Sequence, residues 1–333
     1  MRYAFLGNRV ISLRQSAGDC NLKIIDLKNK KETEKLSGQL CVALGNFDGV
    51  HKGHLKLIDC AVKEADISNC RSAVWTFEEH PANILSKDGI KLITSNEEKN
   101  DLFAENNLDY AIYEDFLAVK DYTPDEFIDK ILVDKLNVRC VICGFNFTFG
   151  KDGKGNPSYL KERLAEKGKK VVIMPPFCIE DVVVSSTEIR KLIEDGKMSE
   201  AMQLLGRPYF VDLPVLHGKE LGRKIGIPTI NQKFPKNRVV PKNGIYCCKC
   251  LIGGKEYAGV SNVGSRPTVN SDENDINCET HIIGFNGWLY GENVKVSFYS
   301  RLRDEIRFND IDELKEKVMG DIKDAEYYFG QVR

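Results

Sequence analysis

Apolar and polar positions follow two different rhythms along this chain. Between about residues 40 and 180, short apolar runs alternate with segments of helical period. CVALGNF, SAVWTF, YAIYEDF, VRCVICGFNF and KKVVIMPPF read as buried strands. HLKLIDCAVKEADI carries apolar residues three and four apart and reads as the first helix. A second helix follows Ser95, with Glu98 in the capping-box position. A third opens on Thr123-Pro124-Asp125-Glu126, with Thr as cap and Pro in the first turn, and a fourth, PSYLKERLAEKG, closes on Gly168. Strands alternating with helices predict right-handed crossovers and a doubly wound parallel sheet of Rossmann-like type. Ligands of such sheets sit beyond the carboxyl ends of the strands.

After residue 180 the rhythm changes. SSTEIRKLIEDG and MSEAMQLLG read as two short helices ending near Gly206. From Tyr209 to about Arg303, short strands are broken by Gly, Pro and Asn: YFVDLPVLHG, GIYCCKCLI, KEYAGVSNVG, CETHIIGF and ENVKVSFYS. That pattern predicts an antiparallel sheet closed as a small barrel. IDELKEKVMGDIKDAEYYF then reads as a terminal helix whose apolar stripe covers a barrel face or mouth. The expected fold class is therefore α/β plus β, divided at 206–209 into domains 1–206 and 207–333. Residues 1–39 carry the weakest pattern and are expected to add a strand.

Composition narrows the class. Lys and Arg number 48 and Asp and Glu 49 in 333 residues, so the chain is near neutral, which argues against a protein held on nucleic acid by phosphate neutralisation. No apolar run approaches the roughly 18 residues of a membrane span. With no cleavage signal at the N-terminus, the expectation is a cytoplasmic protein without a membrane partner. The 11 cysteines include CVIC and CCKC, but both lie in strand-like runs and lack a second pair at zinc spacing, so burial as small apolar groups is expected.

The first chemistry-bearing stretch is LGNFDGVHKGHLKLI, residues 44–58. It spans a strand end, a tight turn and a helix start. Helix N-termini present free N–H groups, and Gly45, Gly49 and Gly53 let backbone approach a ligand closely. His51 and His54 are three apart, on one face of a first helical turn, where two imidazoles can donate to phosphate oxygens. Zinc is the weaker alternative, because the nearest further ligand, His80, is a strand away. In GFNFTFGKDGKGN, Gly144, Gly150 and Lys151 imitate a P-loop. Five residues separate the glycines rather than four, however, and Asp152 stands where a Ser or Thr would hold magnesium.

GNFDGVHKGH resembles the motif of the HxGH nucleotidyltransferase superfamily. With TFEEHP (76–81), GFNFTFG (144–150) and VSSTEIR (184–190), it resembles the FMN adenylyltransferase module of bacterial bifunctional riboflavin kinase/FMN adenylyltransferases, over roughly residues 40–205. The resemblance implies that His51 and His54 hold ATP phosphates and that Asn146 and Thr148 act at the reacting phosphates. It implies an ATP site of Gly45, Phe47, Asp48, Gly49, Ser186, Thr187 and Arg190, with Arg190 four residues after Ser186 and able to neutralise the leaving pyrophosphate. Phe77 and Pro81 are the expected flavin contacts, and Phe77, Phe147 and Phe149 either flank an isoalloxazine or pack in the core. Two departures stand out: Val183 where a basic residue is common, which weakens or slows adenylylation if that contact matters, and Glu79 where Pro is usual.

HGKELGRKIGIPTIN (217–231) places Gly218, Gly222 and Gly226 at four-residue intervals before Pro228-Thr229-Ile230-Asn231. A Gly-rich loop can wrap phosphates, and a Thr hydroxyl and an Asn carbonyl are hard oxygen ligands suited to Mg²⁺. With SNVGSRPT (261–268), CETHIIGF (278–285) and LRDEIRF (302–308), this half resembles the riboflavin kinase module, a six-stranded barrel, over about 209–330. The resemblance implies that Thr229 and Asn231 position Mg·ATP, that Glu279 is the base for the riboflavin 5′-hydroxyl, and that Arg303 lies near the flavin. His281 is read as structural or supporting, and His217 as lining the loop. Leu221 and Gly284 depart from residues common in the family.

The expectation is thus a two-step, ATP-dependent synthesis of FAD. The C-terminal barrel turns riboflavin and ATP into FMN and ADP, and the N-terminal domain turns FMN and ATP into FAD and pyrophosphate. Mg²⁺ serves both, no nucleic acid takes part, and a weak homo-oligomer is left open. The rivals are a kinase with a decayed transferase site, a transferase for another small alcohol or phosphate, and a flavin-binding regulator without turnover.

Overall fold

Runs of β-branched and apolar residues that are buried on both faces form strands only where helices cover both sides of a sheet. The structure, a computed structural model, describes residues 3–5, 10–12, 22–218, 222, 226–265, 276–308 and 310–331. The chain divides into two compact units that are not its contiguous halves. The first comprises Met1–Asn46, Leu55–Pro81 and Lys99–Pro175; the second comprises Phe47–His54, Ala82–Glu98 and Pro176–Arg333.

In the first unit, β1 (Tyr3–Phe5) and β2 (Val10–Ser12) form an antiparallel pair. β3 (Lys23–Asp26), β4 (Leu40–Leu44), β5 (Arg71–Phe77), β6 (Tyr110–Glu114), β7 (Val138–Gly144) and β8 (Lys170–Met174) form a six-stranded parallel sheet in the order β3-β6-β5-β4-β7-β8. The added strand expected from the N-terminal region is β3, on the sheet edge. All five residues of β4 are buried. The strand order reverses between β4 and β7, which marks the topological switch point where open α/β sheets bind ligands.

Local caps explain where the helices begin. Ser95 and Glu98 form reciprocal bonds (Ser95 N to Glu98 Oε2, 2.8 Å; Glu98 N to Ser95 Oγ, 3.2 Å) ahead of the helix Asn96–Glu105. Thr123 and Glu126 do the same, and the helix they start runs on as a π-type helix over Phe127–Lys135. Asn156 caps Pro157–Glu166, six residues after Gly150. The Gly-Lys pair leads instead into a single 3-10 turn, Lys151–Gly153, so no α-helix starts at Lys151 as a P-loop requires.

In the second unit, β9 (Cys178–Ile179) and β10 (Val182–Val183) make a short hairpin that sequence reading did not anticipate. Helices Ser186–Glu194 and Met198–Leu205 follow, the second closed by Gly206 in the left-handed conformation. The barrel strands are β11 (Tyr209–Pro214), β12 (Thr229–Lys233), β13 (Gly244–Ile252), β14 (Lys255–Ser265), β15 (Ile276–Ile282) and β16 (Asn293–Arg303). Their antiparallel order is β11-β16-β13-β14-β15-β12. Its two edges meet at an isolated bridge between Leu216 and Asn231, and Gln232 donates across the seam to the Leu213 carbonyl (2.7 Å). Gly253 and Gly254, both at positive φ, make the two-residue turn between β13 and β14.

Alternation along the barrel strands separates two faces. Tyr246, Cys248, Cys250, Val263, Cys278, Val296 and Phe298 fill the interior. Ile245, Cys247 and Val260 face outward, where the terminal helix Ile311–Gln331 covers them with Ile322 and Ala325. The cysteines of CVIC and CCKC are buried in strands, and burial pushes the thiols of Cys143 and Cys247 up to about 11 and 12. Three motif segments fall outside the described residues: Arg266 to Thr268 of SNVGSRPT, Leu221, and the remainder of the glycine loop at 219–220 and 223–225.

Candidate active sites

The turn after β4 carries the histidine pair. The helix Lys52–Ser68 begins one residue after His51. His51 Nδ1 accepts the backbone N–H of His54 at 3.2 Å, the bond a capping residue makes. The two imidazoles stack with centroids 3.6 Å apart and planes 13° from parallel. His51 is 6 % exposed, and burial pushes its pKa down to about 4, with Arg207 and Arg190 acting in the same direction and Asp48 opposing them. A neutral imidazole that accepts at Nδ1 carries its proton on Nε2, so His51 presents one N–H donor.

The residues around this pair build its frame. Asp48 is 3 % exposed. Its carboxylate accepts from Ile93 N (2.9 Å) and Thr94 N (3.1 Å) and pairs with Arg190 Nη2 (2.7 Å). Arg190 Nε donates to the Lys91 carbonyl (2.7 Å), and Ser186 Oγ donates to the Asp48 carbonyl (2.9 Å). The helix cap of the SST stretch is Ser185, whose Oγ accepts from Glu188 N at 3.3 Å. Phe47 and Asp48 are buried, and Ser186 and Arg190 bind the turn itself. The reason is physical: a buried carboxylate needs hydrogen-bond donors and a counter-charge, and these residues supply them. Thr187 lies in the first turn of that helix and Gly49 at φ +81 in the buried turn, where its N–H donates to Thr94 Oγ1 (2.9 Å).

In the first unit, Gly45 leaves β4 and its N–H donates to the Trp75 carbonyl. Asn146 and Thr148 are exposed on the loop after β7, at the strand end that flanks the switch point. A Cβ on Gly144 would lie 3.3 Å from Asn146 Oδ1. Phe77 packs edge-on against Trp75 and Phe116 and stays half-buried, and Pro81 starts a short helix, Pro81–Leu85. Phe149 is buried in the core while Phe147 is half-buried. His80 Nε2 sits 3.1 Å from Asn46 Nδ2.

The barrel supplies a second constellation. Register places Asn231 of β12 opposite Glu279 of β15, and Glu279 opposite Asn262 of β14. Asn262 in turn faces Ile245 of β13, which faces Arg303 of β16. Directly paired residues of antiparallel strands share a face, so these five form one row on the outward side. Thr229 pairs with His281 in the next such row. His281 Nδ1 donates to the Pro228 carbonyl at 2.8 Å and so holds the residue before Thr229. Arg303 forms a two-pronged pair with Asp321 of the terminal helix (2.9 and 2.6 Å). His217 stacks on Tyr290 at 4.0 Å.

Two glycines of the loop, Gly218 and Gly222, lie close to residues of these rows. A Cβ on Gly218 would press into the Asn231 amide, 2.7 Å from its Cγ, and one on Gly222 would collide with the Ile227 carbonyl and sit 3.5 Å from Thr229 Oγ1. Gly226 adopts φ +79. Backbone therefore lies where side chains would block the hydroxyl of Thr229 and the amide of Asn231. That cradle fits a phosphate-bound divalent cation with hard oxygen ligands.

Sequence reading missed Thr94 and Arg207, which hold the carbonyls and amides of the histidine turn. Their partners are 45 and 157 or 158 residues away, and no spacing motif reports such pairs.

A switch-point α/β sheet and an antiparallel barrel on one chain, with a histidine turn and a Thr–Asn–Glu set among its residues, fit a two-module transferase. Comparison with known proteins agrees. A family model described as FAD synthetase matches residues 33–188, and one described as riboflavin kinase matches residues 205–329. The bifunctional riboflavin kinase/FMN adenylyltransferase of Bacillus subtilis is 35 % identical over 296 residues, covering 88 % of this chain and 93 % of that protein. That of Escherichia coli is 34 % identical over 294 residues, covering 87 % and 93 %. A crystal structure described as a macrolide-efflux protein from Streptococcus pneumoniae superposes with a TM-score of 0.81 at 30 % identity, covering 91 % of this chain and 98 % of that one. Among the described residues here, no helix is long and apolar enough to cross a membrane. The chain belongs to the bifunctional riboflavin kinase/FMN adenylyltransferase family. It is an enzyme with two activities: phosphorylation of riboflavin by ATP to give FMN and ADP, and adenylylation of FMN by ATP to give FAD and pyrophosphate.

Proposed function

We propose that the two reactions run at separate sites, adenylylation within residues 1–206 and phosphorylation within residues 207–333. In the first, an oxygen of the FMN phosphate attacks the α-phosphorus of ATP and pyrophosphate leaves. His51 and His54 act as phosphate donors beside the N-terminus of the helix Lys52–Ser68. The observation that carries this role is the His54 N to His51 Nδ1 bond, which leaves His51 neutral with its proton on Nε2. Such a donor steadies charge that develops on the phosphates without moving a proton. Gly45, Thr187, Asn146 and Thr148 complete the reading as contacts for ATP and the reacting phosphates. Asp48, Ser186 and Arg190 hold the turn.

In the second reaction, Glu279 accepts the proton of the riboflavin 5′-hydroxyl as that oxygen attacks the γ-phosphorus, and ADP leaves. Gly218, Gly222 and Gly226 let backbone amides face the ATP phosphates. Thr229 and Asn231 are the residues that would hold Mg²⁺, which when bound neutralises charge on the β- and γ-phosphates. The row Asn231–Glu279–Asn262 supports this reading, because it sets the base beside the cation ligand on one face of the barrel.

The test is direct. Purified protein is incubated with riboflavin, ATP and Mg²⁺ and the flavins are separated by chromatography. Glu279→Gln should stop FMN formation and leave FMN to FAD conversion intact, and His54→Ala should do the reverse. Equal damage to both steps by both variants would overturn the two-site assignment.

A further inference from the structure

The turn that delivers His51 is strained. Phe47 has φ 52° and Val50 φ 37°, both in the left-handed region, and both side chains are fully buried. A β-branched residue there is rare, and each such residue is retained only where its surroundings over-determine it. The surroundings do so through the carbonyls of four consecutive residues. Phe47 O accepts from Val50 N (3.1 Å) and Asp48 O from Ser186 Oγ (2.9 Å). Gly49 O accepts from Arg207 Nη2 (2.7 Å) and Val50 O from Arg207 Nη1 (3.1 Å). One guanidinium fork thus takes the last two carbonyls before His51.

Peptide geometry makes this consequential. In a trans peptide the C=O and the following N–H point in opposite directions. With Val50 O fixed on Arg207, the His51 N–H is fixed on the opposite side. The same bonds turn two carbonyl dipoles, which would repel a phosphate, toward the guanidinium. Arg207 is itself positioned from both sides. Its guanidinium lies 5.6 Å over the Phe210 ring. The preceding Gly206, at φ +82, lets the chain approach Lys52, whose Cγ would lie 3.2 Å from a Cβ at that position. Its charge also contributes to keeping His51 neutral.

We propose that Arg207 is a positioning residue for adenylyl transfer, holding the Gly49 and Val50 carbonyls so that His51 and the helix start face the phosphates. The inference rests on the reading of His51 and His54 given above. It places a residue from within the riboflavin kinase match (205–329), and outside the FAD synthetase match (33–188), in service of the FAD-forming reaction. Lysine could not replace it, because a single ammonium lacks the planar fork that reaches two carbonyls at once.

The test uses the full chain and assays both reactions on the same preparations of Arg207→Ala, Arg207→Lys and His54→Ala. Arg207→Ala should lower kcat for FMN to FAD by about tenfold to a hundredfold, the scale of a displaced catalytic group, with KM for FMN nearly unchanged. Riboflavin phosphorylation should stay close to wild type, and guanidinium ion below denaturing concentration should restore part of the FAD-forming rate. Arg207→Lys should show the same split between kcat and KM, and it decides the matter if the alanine variant does not fold. A wild-type adenylylation kcat in Arg207→Lys, or an equal loss of both reactions in that variant, overturns the proposal. If His54→Ala abolishes FAD formation while Arg207→Lys does not lower it, the positioning role alone fails. If His54→Ala leaves FAD formation intact, the reading of the histidine pair fails with it.

Discussion

The backbone N–H of His54 donates to Nδ1 of His51 across one helical turn, and the two rings stack 3.6 Å apart above that bond. This one relationship sets the start of a helix, the tautomer of His51 and the spacing of the two imidazoles. A proton on His51 Nδ1 would break it.

Acid should therefore weaken the fold through His51. Its folded pKa, pushed down by burial to about 4, lies below the ordinary value of 6.5. The unfolded chain binds the proton first as pH falls, so stability from this group is fully present above about 6.5. It is lost progressively between 6.5 and 4 and is level below that window, a loss on the order of 3 kcal/mol. Urea midpoints measured from pH 7 to pH 4 should fall more steeply in wild type than in His51→Asn, whose side chain caps a helix without titrating. Parallel curves would mean that His51 is not held neutral.

Asp48→Asn should damage the same turn by another route. The carboxylate accepts two backbone N–H groups and pairs with Arg190. An amide presents one acceptor instead of two and leaves Arg190, 14 % exposed at its side chain, without its counter-charge. Removing one partner of such a buried pair costs roughly 3–5 kcal/mol, and the isosteric amide should lie at or below the low end of that range. FMN to FAD conversion should fall while riboflavin phosphorylation holds. A variant with unchanged stability and unchanged FAD formation would show that the pair does not anchor the turn.

Asp48 and Arg190 also mark where sequence reading stops. The strands around Cys41 and Cys140 were legible because parallel strands buried on both faces must be nearly continuous apolar runs. The helices at Ser95 and Thr123 were legible because their caps are local. The barrel was legible from alternation and from turns such as Gly253-Gly254. The placement of the motif residues was legible: His51, His54, Thr229, Asn231 and Glu279 all fall on strand ends, helix starts or one barrel face. What spacing could not report is which partners these polar residues bond within the fold. Ser186 is bonded to a carbonyl 138 residues away, Arg190 to a carboxylate 142 residues away, and Arg303 to Asp321 of the terminal helix. Those partners exist only once the chain is folded.

Gly218→Ala should separate the two activities from the kinase side. The added methyl would press into the Asn231 amide, so either the loop or Asn231 must move. With Asn231 displaced, the amide oxygen proposed to hold the cation shifts relative to Glu279, its partner in register. Riboflavin phosphorylation should drop by about tenfold or more, the scale of a small misplacement at a reacting centre, with the deficit partly relieved by raising Mg²⁺. FAD formation from supplied FMN should not change. If riboflavin phosphorylation is unaffected, the loop does not need its close approach to Asn231.

The largest stability effect should come from a buried ion pair in the second unit. Glu98 Oε2 lies 2.5 Å from Arg238 Nη1, and both side chains are 6 % exposed. Glu98 also accepts from Ser95 N and Asp212 N, while Arg238 donates to the Phe210 carbonyl and to the Tyr209 hydroxyl. The pair thus joins the cap of one helix to the first barrel strand. Glu98→Ala leaves a guanidinium buried with no counter-charge, which costs roughly 3–5 kcal/mol. Arg238→Met in the same background removes that charge and fills its space with an apolar chain. The double variant should therefore recover a good part of the loss, because a buried pair is dear to break but not to replace. Urea unfolding of wild type, both single variants and the double variant measures this directly. A double variant no more stable than Glu98→Ala would show that the cost lies in the lost backbone contacts of Glu98 rather than in the stranded charge.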